Sequence, residues 1–166
     1  MKKIIKFLSI LSIFALVYSC DRVGDGDIAD DQGGTSTQEM AGDWFVTFTI
    51  DGDDVYSLGH TLLSTYNTSA NNGQEMWIDD HENTWEYKVK SPINVGAKTF
   101  AGSNLDNQVY DVKMNITDGK ILKGAATTSG GNKSDSIHFK VEFADDPGTI
   151  YTVAGYKRTG FAEDEH

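Results

Sequence analysis

Four histidines are the imidazoles this chain can offer to a nucleophile or a metal: His60, His81, His138 and His166. His60 opens a weak strand, and His138 alternates with Phe139, so its ring is expected to face solvent. His81 lies in Asp79-Asp80-His81-Glu82, which mixes carboxylates with an imidazole as acid-base sites do. Hairpin turns collect the same residues for conformational reasons, and that is the simpler reading. Neither a Gly-x-Ser-x-Gly elbow nor a His-Glu-x-x-His pair occurs. Asp51-Gly52-Asp53-Asp54 presents oxygens of the kind Ca²⁺ takes but lacks the spacing of a twelve-residue loop, so it reads as a tight solvated turn. The sequence has one cysteine, Cys20, which leaves no intramolecular disulfide and no cysteine-based zinc or iron-sulfur site. No residue is assigned to bond breaking, and no metal or cofactor is called for.

Aromatic residues are the remaining chemical signal. Alternation places Phe48, Trp85, Tyr87, Tyr110, Phe139 and Phe143 on one face, and Tyr66 and Trp77 are expected to join them. The candidate ligand-binding set is therefore Phe48, Tyr66, Trp77, Trp85, Tyr87, Tyr110 and Phe139. An eight-stranded barrel is just wide enough to be filled by its own side chains or to hold one small ligand, so the same residues support a packed core and an apolar pocket alike.

The elements that must position them are strands. After residue 40 the apolar residues recur with period 2, as in Trp44, Val46, Phe48, Ile50 and again in Ile137, Phe139, Val141, Phe143. Further strands are expected around Trp85 to Val89 and Tyr110 to Ile116, and at 60–67, 75–79, 97–102, 120–126 and 149–158. Turn residues separate them at Asn71-Asn72-Gly73, Asp79-Asp80-His81-Glu82-Asn83, Asp118-Gly119, Ser129-Gly130-Gly131-Asn132 and Asp145-Asp146-Pro147-Gly148. An all-β, antiparallel, up-and-down barrel of about 8–9 strands is the expected fold, because closure removes exposed edges; a two-sheet sandwich is the alternative.

Composition narrows the partners. A formal net charge of -11 argues against nucleic acid. Met1 to Lys6 is basic and Phe7 to Tyr18 is apolar but short for a membrane span, the form of an export signal. It ends in Leu16-Val17-Tyr18-Ser19-Cys20, which resembles the lipobox of bacterial lipoproteins. The resemblance implies a diacylglyceryl group on the Cys20 thiol and a bilayer as partner, with export to the outer membrane, at its periplasmic face or at the cell surface. From Asp21 to about Gln38 the chain is rich in aspartate and glycine and reads as a flexible tether. The expected organisation is a signal peptide at 1–19, the lipidated cysteine and tether at 20–40, a barrel domain at 41–161 and an acidic tail at 162–166.

Gly42-Asp43-Trp44 resembles the G-x-W motif that opens the first strand of lipocalin-type barrels. That resemblance implies that Trp44 closes the barrel floor against a basic residue near the last strand, for which Arg158 is the candidate. The longer pattern of lipobox, acidic tether, Ala41-Gly42-Asp43-Trp44-Phe45-Val46, Tyr66-Asn67-Thr68, Met76-Trp77-Ile78-Asp79-Asp80 and Trp85 resembles Gram-negative lipoproteins described as lipid-binding putative hydrolases. It implies a lipocalin-like barrel that takes a small apolar or amphipathic ligand. It transfers no catalytic residue, so two alternatives stay open: a lipid or ester hydrolase using His60 or His81, and a ligand-free surface interaction module.

Overall fold

The computed structural model describes residues 34–166; the expected export signal, Cys20 and most of the expected tether lie outside the described residues. Nine strands follow from the alternation: β1 (Gly42–Ile50), β2 (Asp53–Asp54), β3 (Thr61–Asn67), β4 (Glu75–Asp79), β5 (Lys88–Asn94), β6 (Thr99–Asp106), β7 (Lys113–Thr127), β8 (Lys133–Phe143) and β9 (Tyr151–Lys157). Eight of them form an antiparallel meander, and β1 also pairs with β9, from Trp44 opposite Lys157 to Thr49 opposite Thr152. The sheet is therefore a closed up-and-down barrel, as alternation and edge avoidance require. The short β2 is a spur folded back on the end of β1. At the closing seam the backbones approach so tightly that a Cβ on Gly155 would lie 1.9 Å from the Phe45 carbonyl oxygen, so only glycine fits there.

Two expectations about strands need correction. Asp118-Gly119 is not a turn between two strands; it is an irregularity inside the single long β7, where the register against β8 shifts between Thr117 and Lys120. Asp118 takes the left-handed φ of 56° that such a bulge uses, and the same Asp-Gly chemistry that makes hairpins makes bulges. Trp85 and Tyr87 are not in a strand either, because β5 begins at Lys88 and Glu86 adopts φ 57°.

The barrel interior is filled along its length by Val46, Phe48, Leu63, Ile78, Tyr87, Val89, Phe100, Ile116, Phe139 and Val153, all buried. Phe48 stacks on Tyr151 with ring centroids 4.7 Å apart, and Phe100 meets Phe139 edge-on at 5.4 Å. Trp44 closes one end at 1 % exposure. Its Nε1 donates to Thr65 Oγ1 at 2.9 Å, and that hydroxyl donates in turn to the Met40 carbonyl at 2.7 Å. The basic residue over the indole is Lys157, with Nζ 5.7 Å from the ring and donating to the Ala41 carbonyl at 2.8 Å. Arg158 was the wrong choice by one residue. It falls on the outer face, where it lies over Phe45 and pairs with Glu165.

Both ends of the described chain pack on the barrel. Residues 38–40 form a 3₁₀ turn with Thr37 and Met40 buried, so the end of the expected 20–40 tether packs on the barrel. The last residues, expected as a tail, turn back: Asp164 is buried and accepts from Thr128 Oγ1 at 2.5 Å and from the Gly130 N–H at 3.0 Å. His166 stacks on His60 at 4.4 Å over Phe45 and Tyr156. Burial, then the neighbouring His166, holds the His60 pKa below its ordinary value.

Candidate functional site at the barrel mouth

Opposite Trp44, four connections meet at the other end of the barrel: 51–60, 80–87, 107–112 and 144–150. The first is a tight turn at Asp51-Gly52, with φ 51° and 92°, followed by a short turn closed by Asp54, whose carboxylate accepts from the Leu58 and Gly59 N–H groups. The Asp54 carboxylate thus serves the local backbone. Among the described residues no group of three or more His, Cys, Asp or Glu side chains is placed to hold a metal ion.

The second connection carries Trp85. Asp80, 1 % exposed, accepts from the Thr84 N–H at 2.9 Å and the Thr84 hydroxyl at 3.0 Å, while its own N–H donates to the Tyr87 carbonyl at 2.9 Å. Burial pushes its carboxyl up to about 6, against the Thr84 hydrogen bonds that favour the charged form. This pinned turn sets the half-buried indole of Trp85 against Phe143 at 5.3 Å and Tyr151 at 5.6 Å, so Trp85 plugs the barrel end.

The third and fourth connections complete the rim. Tyr110, expected on the inner face, lies in the third at 40 % exposure, before β7 starts, and donates to Asp145 Oδ2 at 2.8 Å. Tyr151 donates to Asp146 Oδ2 at 2.7 Å; burial and then that carboxylate raise its pKa above the usual phenol range. Tyr56, Thr84, Trp85, Glu86 and Tyr110 bound a cavity of about 230 Å³ at this mouth. Of the seven large hydrophobic side chains exposed among the described residues, five are here: Tyr56, Leu58, Val109, Tyr110 and Ile150. Apolar exposure gathered at one end differs from the scattered exposure every surface shows.

The expected aromatic set is thus divided. Phe48, Tyr87 and Phe139 are core residues, Trp85 and Tyr110 belong to the mouth, and Tyr66 and Trp77 are on the outer wall. Met76 and Ile78 take the inner positions of β4, which turns Trp77 outward beneath Lys90 (5.2 Å) and Lys88 (5.7 Å). Tyr66, its cross-strand neighbour, donates to Asp79 Oδ2 at 2.7 Å, and Lys88 pairs with the same carboxylate at 2.9 Å. Hydrogen bonding to Tyr66 and Asp79 holds the Lys88 ammonium up at about 12. Tyr56, Glu86 and Tyr151 escaped sequence reasoning. The first two lie in connections with no periodicity, although Tyr151 shares the parity of buried Val153.

A second cluster gathers nucleophile-like groups on the outer wall. Ser64 Oγ lies 2.8 Å from His81 Nε2 and 2.6 Å from Asp43 Oδ1, and His81 Nδ1 is 3.9 Å from Asp79 Oδ1. A carboxylate can only accept, so the Ser64 proton points to Asp43, and His81 donates to Ser64 instead of taking its proton. The Asp79 distance exceeds a hydrogen bond, so the imidazole lacks the orienting partner that an activated serine needs. His138 is on the outer face of β8, as its alternation with Phe139 requires, but is half-buried; its Nδ1 has no hydrogen-bond partner among the described residues, beside an open groove of about 570 Å³ that Phe100, Asp118 and Lys120 also line.

Comparison with known proteins agrees with this architecture. No curated protein matches the chain. The pattern of the family described as "lipid-binding putative hydrolase" matches residues 29–162, which includes every strand, the floor and the mouth. The chain belongs to that family, here as a closed eight-stranded barrel.

Proposed function

We propose that this chain binds an amphipathic, lipid-like molecule at the barrel mouth, against Trp85, while held to a bilayer through acylated Cys20. The observation that carries the reading is the crowding of five exposed apolar side chains around the one end where aromatic rings plug the barrel. The family description supports a lipid as the class of ligand. With the interior filled, the ligand lies in and across the mouth, and Tyr56, Trp85 and Tyr110 are the contact residues. Burying apolar surface there is favourable by about 25 cal/mol per Å² removed from water.

Residues 21–166 keep every described element, so uptake can be measured without the anchor. A fatty-acid-like fluorophore is expected to brighten on binding and to alter tryptophan emission, with Trp85→Leu weakening uptake several-fold and Phe139→Leu leaving it near wild type if the fold survives. The family description leaves a second reading, ester hydrolysis, although the Ser64 and His81 geometry does not supply an activated serine. It requires turnover above buffer that His81→Ala abolishes, a loss of about 10² to 10⁴-fold for a general base. Histidine-dependent turnover without fluorophore uptake would replace the binding reading.

The anchor rests on the lone cysteine after a short apolar run. Cells grown on labelled palmitate are expected to label the full chain and not Cys20→Ala. An unlabelled wild-type chain would remove the anchor from the proposal.

A further inference from the structure

The mouth cavity has a composition more specific than an apolar patch. Three aromatic residues from three different connections, Tyr56, Trp85 and Tyr110, line it together with Glu86, whose charge acts on Tyr110. The four connections around it hold nine carboxylates and neither lysine nor arginine. The nearest lysines in sequence, Lys88 and Lys113, are each paired on the barrel wall, with Asp79 and Asp106. The Tyr110 and Tyr151 hydroxyls are already committed to Asp145 and Asp146, so they are not free to donate to a bound anion.

These features select the sign of the ligand's charge. The face of an aromatic ring is the negative side of its quadrupole, and several rings around a carboxylate form the kind of cage that takes an alkylated ammonium. A phosphate or carboxylate headgroup entering the same space would meet acidic neighbours and no cation. At about 230 Å³ and open to solvent, the cavity is a shallow depression that suits a headgroup better than a whole lipid. Leu58, Val109 and Ile150, exposed on the same rim, offer a track for a chain leading away from it.

We infer that the Tyr56, Trp85, Tyr110 and Glu86 cavity holds a cationic, alkylated ammonium headgroup, and that the amphiphile's tail runs over the apolar rim. The inference rests on the lipid-binding reading and adds the ligand's charge and the part of the molecule the cavity grips.

Binding of dodecyltrimethylammonium, dodecyl maltoside and dodecyl sulfate to residues 21–166, each below its micelle concentration, tests it through tryptophan emission. The trimethylammonium amphiphile is expected to bind about tenfold tighter than the neutral one, and the sulfate most weakly. Glu86→Gln keeps the shape and the reporting indole of Trp85, and is expected to remove most of that preference. Glu82→Gln, the same charge change in the same connection outside the cavity, is expected to leave it in place. A preference lost equally in Glu82→Gln would mean diffuse surface attraction and overturn the cage. Equal uptake of all three amphiphiles would overturn it too while leaving lipid binding intact. Tetramethylammonium bound as tightly as its dodecyl form would keep the cage and remove the lipid reading.

Discussion

Trp44→Ala is expected to destabilise the barrel by about 3 to 5 kcal/mol, the range for deleting a large buried aromatic. The indole is 1 % exposed and lies under the Lys157 ammonium, and its N–H is one link of the Trp44–Thr65–Met40 hydrogen-bond chain. Removal leaves a cavity at the floor and takes away the donor to Thr65. Since whole domains have only about 5 to 15 kcal/mol, the variant is expected to be marginally folded at room temperature. Arg158→Ala is the contrast, because its pair with Glu165 is on the outer face, where water and salt screen it, and its loss is expected to cost far less. Urea unfolding of the two variants measures both. A Trp44→Ala loss below about 1 kcal/mol would mean that the floor is closed by something other than the indole.

Asp80 is expected to impose a pH dependence of similar size. Its folded carboxyl titrates at about 6 against an unfolded value near 3.8, so between those values the folded state holds a proton that the unfolded state has lost. The contribution to stability is therefore full below about pH 4 and falls as pH rises through about 6. At about 1.4 kcal/mol per pKa unit, the fall amounts to roughly 3 kcal/mol. Asn mimics the protonated acid: its carbonyl accepts from the Thr84 N–H and its amide donates to the Thr84 hydroxyl. Relative to Asp80→Asn, the wild type is expected to lose about 3 kcal/mol between pH 4 and pH 7, read from urea unfolding across that window. A wild-type-minus-variant difference that stays flat would show that Asp80 ionises in the fold without penalty. Carboxylates stabilised in their charged form, such as Asp135, act in the opposite direction in both proteins and cancel in the difference.

Much of the fold was legible because a strand's alternation is a local property. Phe48, Ile116, Phe139 and Phe143 take the inner face as period 2 requires. Legibility failed where alternation was ambiguous. Met76-Trp77-Ile78 is continuously apolar, so five residues cannot say which face is inner, and pairing with β3 and β5 decides that Trp77 faces out. Leu62-Leu63 blurs β3 in the same way and hides the outward turn of Tyr66. The choice between Lys157 and Arg158 was legible and missed, because the parity of buried Tyr151 and Val153 carries the inner face on to 157. Asp118-Gly119 was not legible, since a bulge and a hairpin turn ask for the same residues.

The sequence by itself determined that the domain is all β with antiparallel strands, and that one cysteine permits no intramolecular disulfide; it favoured a closed barrel over a two-sheet sandwich without deciding between them. These follow from periodicity, turn residues and composition, which neighbouring residues express without help from distant ones. Only the tertiary structure decided that the interior is filled, that Trp85 is a plug and not a wall residue, and that Tyr56, Trp85, Glu86 and Tyr110 share one cavity. Those residues lie in three separate connections with no common period. Barrel closure through β1 and β9 is what brings the connections to one end, so the site exists as a consequence of topology and leaves no local mark in the chain.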